Sequence, residues 1–221
     1  MKKITISILL LTFFISSYAQ KWEINANLNS GIFHFAGEGA SILSDLHNKY
    51  GSKGGLSYGI GLSLQRKNIH HLQYGLDVDI ESLQSRAPFN YQDLNNVSWT
   101  GRSLLRHNFF TLSPYLDYTI SIRSFSIYLK GGLGCALNLG EAIENYKSKS
   151  SDGQTASYIN GHSTTAFDLR HSFQLVVFKK KLGMGFGYST GIMDYKLGWK
   201  GGTNLVFSRY LKIGLHYRLS N

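Results

Sequence analysis

Histidine next to serine is the first arrangement in this chain that could do chemistry, because an imidazole can take a hydroxyl proton and create a nucleophile. It occurs twice, as His162-Ser163 and His171-Ser172. The second pair lies in an alternating run, where neighbouring side chains point to opposite faces, so His171 cannot readily activate Ser172. The first pair stands in a polar stretch with no recognisable third group to orient the base. His70-His71 is the nearest approach to a metal site, and nothing else completes a ligand set. No strand-to-helix phosphate cradle is present either, since the glycines alternate within strands. The residues therefore predict no catalytic group, no metal and no other cofactor.

Charged residues set at alternate positions carry more information. Glu23, Asp77, Asp79, Glu81, Asp117, Lys130, Asp168, Arg170, Lys212 and Arg218 all share parity with small or polar neighbours, opposite a row of apolar side chains. From Leu72 onward, Leu72, Tyr74, Leu76, Val78 and Ile80 alternate with Gln73, Gly75, Asp77, Asp79 and Glu81. Carboxylates so placed demand a face that is wet or salt-bridged. Enclosed together, such groups must pair, and Glu23 with Arg218 and Asp117 with Lys130 are the expected partners. A gated ion path is the functional alternative to this salt-bridged filling. The filling is favoured because the interior of an eight-stranded barrel is normally occupied by side chains.

The elements that position these groups are alternating runs. From Phe109 to Leu139 two such runs flank a tight connection at Ser121–Ser124, and each has one continuously apolar face long enough to cross a bilayer. The same pattern recurs from Trp22, from Leu56, from Leu72, from Phe167, from Leu182 and from Leu205. Short connections fall at Arg66–His70, Ser121–Ser124 and Lys179–Lys181. Long loops are expected at Ala36–Gly54, Leu83–Arg106, Leu139–Thr165 and around Trp199–Gly202. Long and short connections thus alternate, as in an all-β, eight-stranded antiparallel up-and-down transmembrane barrel with short periplasmic turns and long extracellular loops. If the first strand runs outward, Trp22, Tyr74, Tyr118, Phe125 and Tyr217 form one aromatic girdle. Tyr58, Phe110, Phe167, Tyr188 and Phe207 then form the other.

Composition agrees with one such domain: 221 residues with 24 Gly, 14 Tyr, 13 Phe and only 2 Pro lean towards β structure. Lys2 and Lys3, the apolar stretch from Ile4 to Ile15, and Ser17 and Ala19 read as a secretory signal over residues 1–19, leaving a barrel domain over 20–221. Removing Lys2 and Lys3 from 23 basic residues leaves 21 against 13 acidic ones, a net charge of +8. That excess suits anionic lipid headgroups or sugars, and a secretion signal argues against nucleic acid. Cys135 is the only cysteine, has no disulfide partner within the chain and lies on the apolar parity.

Several stretches carry a family resemblance. Leu112-Ser113-Pro114-Tyr115-Leu116-Asp117-Tyr118, Gly131–Gly134 after Tyr128-Leu129-Lys130, Tyr188-Ser189-Thr190-Gly191-Ile192 and Gly214-Leu215-His216-Tyr217-Arg218-Leu219 look like the small outer-membrane β-barrel family of Bacteroidetes that includes PorT-like proteins. The resemblance implies a non-enzymatic, monomeric barrel in the outer membrane with both termini periplasmic. It also implies contact with outer-membrane lipid and lipopolysaccharide, and an accessory role beside other envelope or secretion-system proteins. Two alternatives stay open: a lipid-modifying outer-membrane enzyme, and a soluble lipocalin-like carrier with its apolar face turned inward.

Overall fold

The computed structural model describes residues 22–41, 50–66, 71–162, 165–195 and 205–219. The expected signal segment lies outside the described residues, as do His70 and Ser163. Alternation of apolar and polar residues produces ten strands: β1 (Trp22–Ala36), β2 (Lys53–Arg66), β3 (Leu72–Gln92), β4 (Ser98–Ile122), β5 (Phe125–Asn138), β6 (Ala142–Ser150), β7 (Thr155–His162), β8 (Phe167–Lys179), β9 (Leu182–Gly191) and β10 (Phe207–Arg218). One short helix, α1 (Glu38–Ser41), follows β1.

Eight of these strands close into an antiparallel ring in the order β1-β2-β3-β4-β5-β8-β9-β10, with β10 returning to β1 through pairs such as Leu28↔Leu215. The all-β, eight-stranded up-and-down barrel expected from the alternation is therefore the architecture. Closure removes the free edges that an open sheet would expose. Two connections at the end carrying the termini are two-residue hairpin loops, between Ile122↔Phe125 and between Lys179↔Leu182. Each places a non-glycine residue at positive φ, Arg123 at 51° and Lys180 at 57°, as the twist of a tight hairpin requires.

At the opposite end the structure departs from the expected loops. The segments Leu83–Arg106 and Leu139–Thr165 are largely strand. β3 runs on to Gln92 and β4 begins at Ser98, paired throughout from Gln92↔Ser98 to Leu72↔Tyr118. Beyond the ring, β6 pairs with β4 from Trp99↔Ser150 to Arg106↔Ile143, and β7 pairs with β6. The result is a four-stranded sheet, β3-β4-β6-β7, that projects past the ring. In β3 alternation continues with its parity exchanged, Leu83, Phe89 and Tyr91 against Gln84, Arg86 and Asn90, and the β3–β4 ladder runs on with it.

Pro114 sits in the middle of β4. Its pairing with β3 is uninterrupted at Leu76↔Pro114, whereas the β5 ladder skips from Leu112↔Cys135 to Tyr115↔Gly132. The missing N–H therefore falls on the β5 side, where the break costs one rung.

The sidedness of the ring is inverted relative to a soluble protein. Leu62, Leu116, Leu133 and Leu215 are 47–59% exposed on the outside, while Asp79 inside is 3% exposed. This is the reverse of the arrangement a soluble carrier with an apolar interior needs. Cys135 is half-buried and free.

Candidate functional site

Every charged residue singled out from the sequence faces the lumen or its mouth. Parity alone accounts for this, because β residues two apart share a face and the apolar set faces outward. The pairs form layers along the barrel.

At the end bearing the termini, Arg218 Nε lies 2.9 Å from Glu23 Oε1, its guanidinium caps the Phe178 ring at 4.7 Å, and its Nη2 donates to the Tyr128 hydroxyl at 2.9 Å. This is the expected Glu23–Arg218 pair at the seam between first and last strands. Asp117 stands in register opposite Lys130, yet the lysine does not turn to it. Its ammonium crosses the face of the Tyr115 ring, 4.1 Å from the centroid, to reach Asp77 at 3.4 Å and the Ser63 hydroxyl at 3.1 Å. The long side chain gains a ring face and two acceptors by spanning the narrow lumen, so Asp117 instead accepts from Thr119. Gly75 makes room for Tyr115: a Cβ there would run into that ring.

Higher in the lumen, Asn29 donates to Asp79 at 3.4 Å, and Asp79 and Lys212 line a shared cavity of about 30 Å³, roughly the volume of one water. Above it lies the densest cluster. Arg170 Nε meets Asp168 Oδ2 at 2.6 Å and Arg170 Nη1 meets Glu81 Oε2 at 3.1 Å. Asp168, fully buried, also accepts from Tyr195 at 2.8 Å and Ser208 at 2.6 Å, while Glu81 accepts from Thr111 at 3.0 Å. Arg170 additionally stacks on Phe109, 4.5 Å from the ring centroid. A buried ion cluster of this kind is held only where each charge has partners, since the low-dielectric interior penalises any left alone.

Sequence reasoning did not anticipate the mouth. Phe33, Phe35, Leu83, Phe109, Tyr195, Val206 and Tyr210 pack there as a buried apolar plug on the lumen parity. Phe33 and Phe35 meet edge-to-face at 5.0 Å, and Phe35 meets Tyr195 at 4.8 Å. Tyr50 closes over them, donating to the Tyr195 carbonyl at 2.9 Å. His107 is buried among the same rings, and neither ring nitrogen has a hydrogen-bond partner among the described residues. The signal that could have revealed this plug is a loss of alternation at Ile32-Phe33 and at Phe109-Phe110, where both faces turn apolar.

The aromatic residues expected in two girdles, Trp22, Tyr74, Tyr118, Phe125 and Tyr217 at the termini's end and Tyr58, Phe110, Phe167, Tyr188 and Phe207 at the other, all project outward. Trp22 packs edge-on against Tyr74 at 6.3 Å. Of the residues considered for chemistry, exposed His171 projects outward and half-buried Ser172 inward, so they do not meet. His71 contacts the Thr119 carbonyl at 3.0 Å.

The projecting sheet has two unlike faces. On the lumen-side parity, Tyr91 stacks with Trp99 at 6.4 Å, Phe89 with Tyr146 at 4.7 Å, and Tyr146 with Tyr158 at 4.4 Å. Small residues beneath them, Gly101, Ser148 and Ala156, stand in one cross-strand row with Phe89 and leave room for the rings. The opposite face carries cations. The outer edge of β7 is exposed along its described residues.

Comparison with protein-family models finds no match, and no curated protein matches the sequence. Among solved structures the chain is similar to the attachment invasion locus protein Ail of Yersinia pestis, at 12% identity and a TM-score of 0.41 over 90% of this chain and 99% of that one. It is also similar to Neisserial surface protein A, at 11% identity and a TM-score of 0.39 over 89% and 97%. A third similarity is to the translocator domain of the autotransporter NalP from Neisseria meningitidis, at 9% identity and a TM-score of 0.23 over 99% and 98%.

Proposed function

We propose that this chain is a non-enzymatic, non-conducting outer-membrane barrel that works at the cell surface through its projecting sheet. The observation that carries the reading is the combination of an apolar exterior with a filled, charged lumen, from which a four-stranded sheet extends. An apolar belt of this extent is stable only against lipid tails. Residues 1–19 act as the export signal, both termini lie in the periplasm, and the tight loops at Arg123 and Lys180 face the same side. The ten outward aromatic residues then mark the two bilayer interfaces. The lumen charges serve structure, tying strands across the ring, and the aromatic plug seals the outer mouth. Exposed Tyr158, at the outer end of the stacked row, and the edge of β7 offer a partner a ring face and unpaired backbone groups. This gives the PorT-like accessory role in an envelope or secretion assembly a place to act, and the similarity of the Leu112–Tyr118 and Gly214–Leu219 stretches supports it.

A photo-crosslinking residue placed at Ile159, and in a second strain at Arg123, tests the reading in cells. Crosslinks to envelope components are expected from Ile159, with planar-bilayer recordings showing no large steady conductance. Crosslinks confined to Arg123, or a sustained open channel, would sink it.

A further inference from the structure

The cationic face of the projecting sheet has an arrangement that the fold itself does not need. Lys53, Arg86, Arg102, Lys147 and Lys149 are all exposed and share that face. Lys53 stands directly opposite Arg86, and Arg102 directly opposite Lys147. Like charges facing each other across a ladder destabilise it. Here that happens twice in adjoining rows, although Asn, Thr or Ser would pair there without cost. The strand positions of this face from Arg86 to Gln92, Ser98 to Arg106, Ala142 to Ser150 and Thr155 to Gly161 contain no Asp or Glu; Glu144 falls on the other parity, buried against Ser103. Among the described residues, Glu141 precedes β6 and lies against Gly161 at the barrel end, and Asp152 stands at the tip, bound to Ser150 and Gln154. Between the cations is a hollow of about 150 Å³, open to solvent and lined by Arg86, Arg102, Leu104, Asn145 and Lys147.

The position of the patch indicates which anion it meets. The cationic parity on β4 is the same parity that carries Phe110, Leu112 and Leu116 on the barrel's outer wall. The patch therefore faces sideways over the surrounding lipid, away from the barrel axis. Arg106 and Arg102 stand four and eight residues beyond Phe110, roughly 13 and 26 Å along the strand before allowance for tilt. At a strand tilt of about 45° these become about 9 and 18 Å above the girdle, so the patch begins at the upper edge of the headgroup layer and rises beyond it. The geometry points to a docking site for a phosphorylated glycolipid of the outer leaflet, with Arg86, Arg102 and Lys147 gripping one phosphoryl group and Lys53 and Lys149 at the rim. Arginine suits this task because its planar fork binds phosphate oxygens in pairs. Asn145 adds an amide that can donate to a sugar or phosphate oxygen. The bound anion would also remove the repulsion within the two like-charged pairs. The site rests on the surface reading proposed above, since it requires the projecting sheet to stand over the outer leaflet.

The test uses the full barrel refolded into uncharged nanodiscs, titrated with bisphosphorylated lipid A, with the same glycolipid after enzymatic dephosphorylation, and with inorganic phosphate. The triple variant R86Q/R102Q/K147Q is compared with wild type and with R86K/R102K/K147R. Lipid A binding should fall on the order of 10- to 100-fold in the triple variant and by a smaller factor in R86K/R102K/K147R, which keeps the charge but loses two guanidinium forks and gains one. Dephosphorylation should weaken wild type to the level of the triple variant. Without glycolipid, the triple variant should be at least as resistant to unfolding as wild type, because the repulsion is gone; this also shows that it folds. Unchanged lipid A binding in the triple variant, binding indifferent to dephosphorylation, or inorganic phosphate competing at equal concentration would each overturn the proposal. Failure here with the protein still fractionating in the outer membrane leaves the surface reading standing, whereas absence from that fraction removes both.

Discussion

In the lumen Arg170 meets two carboxylates, Lys130 meets Asp77 and Arg218 meets Glu23, whereas on the projecting sheet Arg102 faces Lys147 and Lys53 faces Arg86 with no carboxylate between them. The two regions differ in solvent. Buried charges lose hydration and survive only when compensated within the fold, so their partners are written into the same chain. Exposed cations are screened by water and salt, so their repulsion is tolerable and their compensation can come from outside. Lumen pairs therefore report on how the ring holds together, and unpaired surface cations report on what the molecule meets.

That contrast can be broken at its strongest point by Arg170→Leu, which leaves Asp168 and Glu81 without their cation. A loss of about 3–5 kcal/mol in unfolding free energy is expected, read from urea-induced unfolding in detergent micelles. A loss near that of an exposed pair would mean the cluster is solvated and the contrast false. A smaller effect of opposite sign is expected for His107→Phe. Its two ring nitrogens, unpartnered among the described residues, sit among the rings of Phe33, Phe35 and Phe109, so an apolar ring of similar shape should add about 1–3 kcal/mol in the same experiment. A decrease would reveal that the imidazole has a polar role at the mouth.

The smallest expected effect belongs to the sheet's tip. Asp93 accepts from the backbone N–H of Val97 at 3.0 Å, from the Trp99 indole at 3.3 Å and from the Asn95 N–H at 2.8 Å. The Val97 bond foremost, with the other two, holds its carboxyl below the ordinary carboxylate range. A depressed folded value means the turn is supported at pH above the unfolded value of about 3.9 and loses that support as pH falls through the lower folded value. Exchange protection of the Asn95 and Val97 amides should drop in that acid window while the lumen strands stay protected. Asp93→Asn should remove the pH dependence, and an unchanged acid response in that variant would assign the effect elsewhere.

Sequence alternation made the ring legible because lipid outside and charge inside give every ring strand a clear parity. The Glu23–Arg218 pair followed from strand closure alone. The Asp117–Lys130 pairing did not form, because register fixes only which residues stand opposite. A lysine side chain four methylenes long, lying along the Tyr115 ring, chooses among acceptors that pairwise reasoning does not see. The projecting sheet was hidden for a different reason. There Phe89, Tyr91 and Trp99 alternate with Arg86, Asn90 and Arg102 on the parity opposite to that of the ring, and Pro88 and Gly101 interrupt them like loop punctuation. The plug at Phe33, Phe35 and Phe109 was hidden because there the lumen side is apolar, which erases the alternation used to read the rest.

The pairing of β6 with β7 keeps the register of the β5–β8 ladder, passing from Leu137↔Phe167 to Ala142↔His162 without an offset. The hairpin can consequently be lengthened or trimmed by equal numbers of residues on both arms around Asp152, and every rung below stays matched. Such an antenna is a natural carrier for grafted epitopes, because its height can be tuned without re-engineering the wall that bears it.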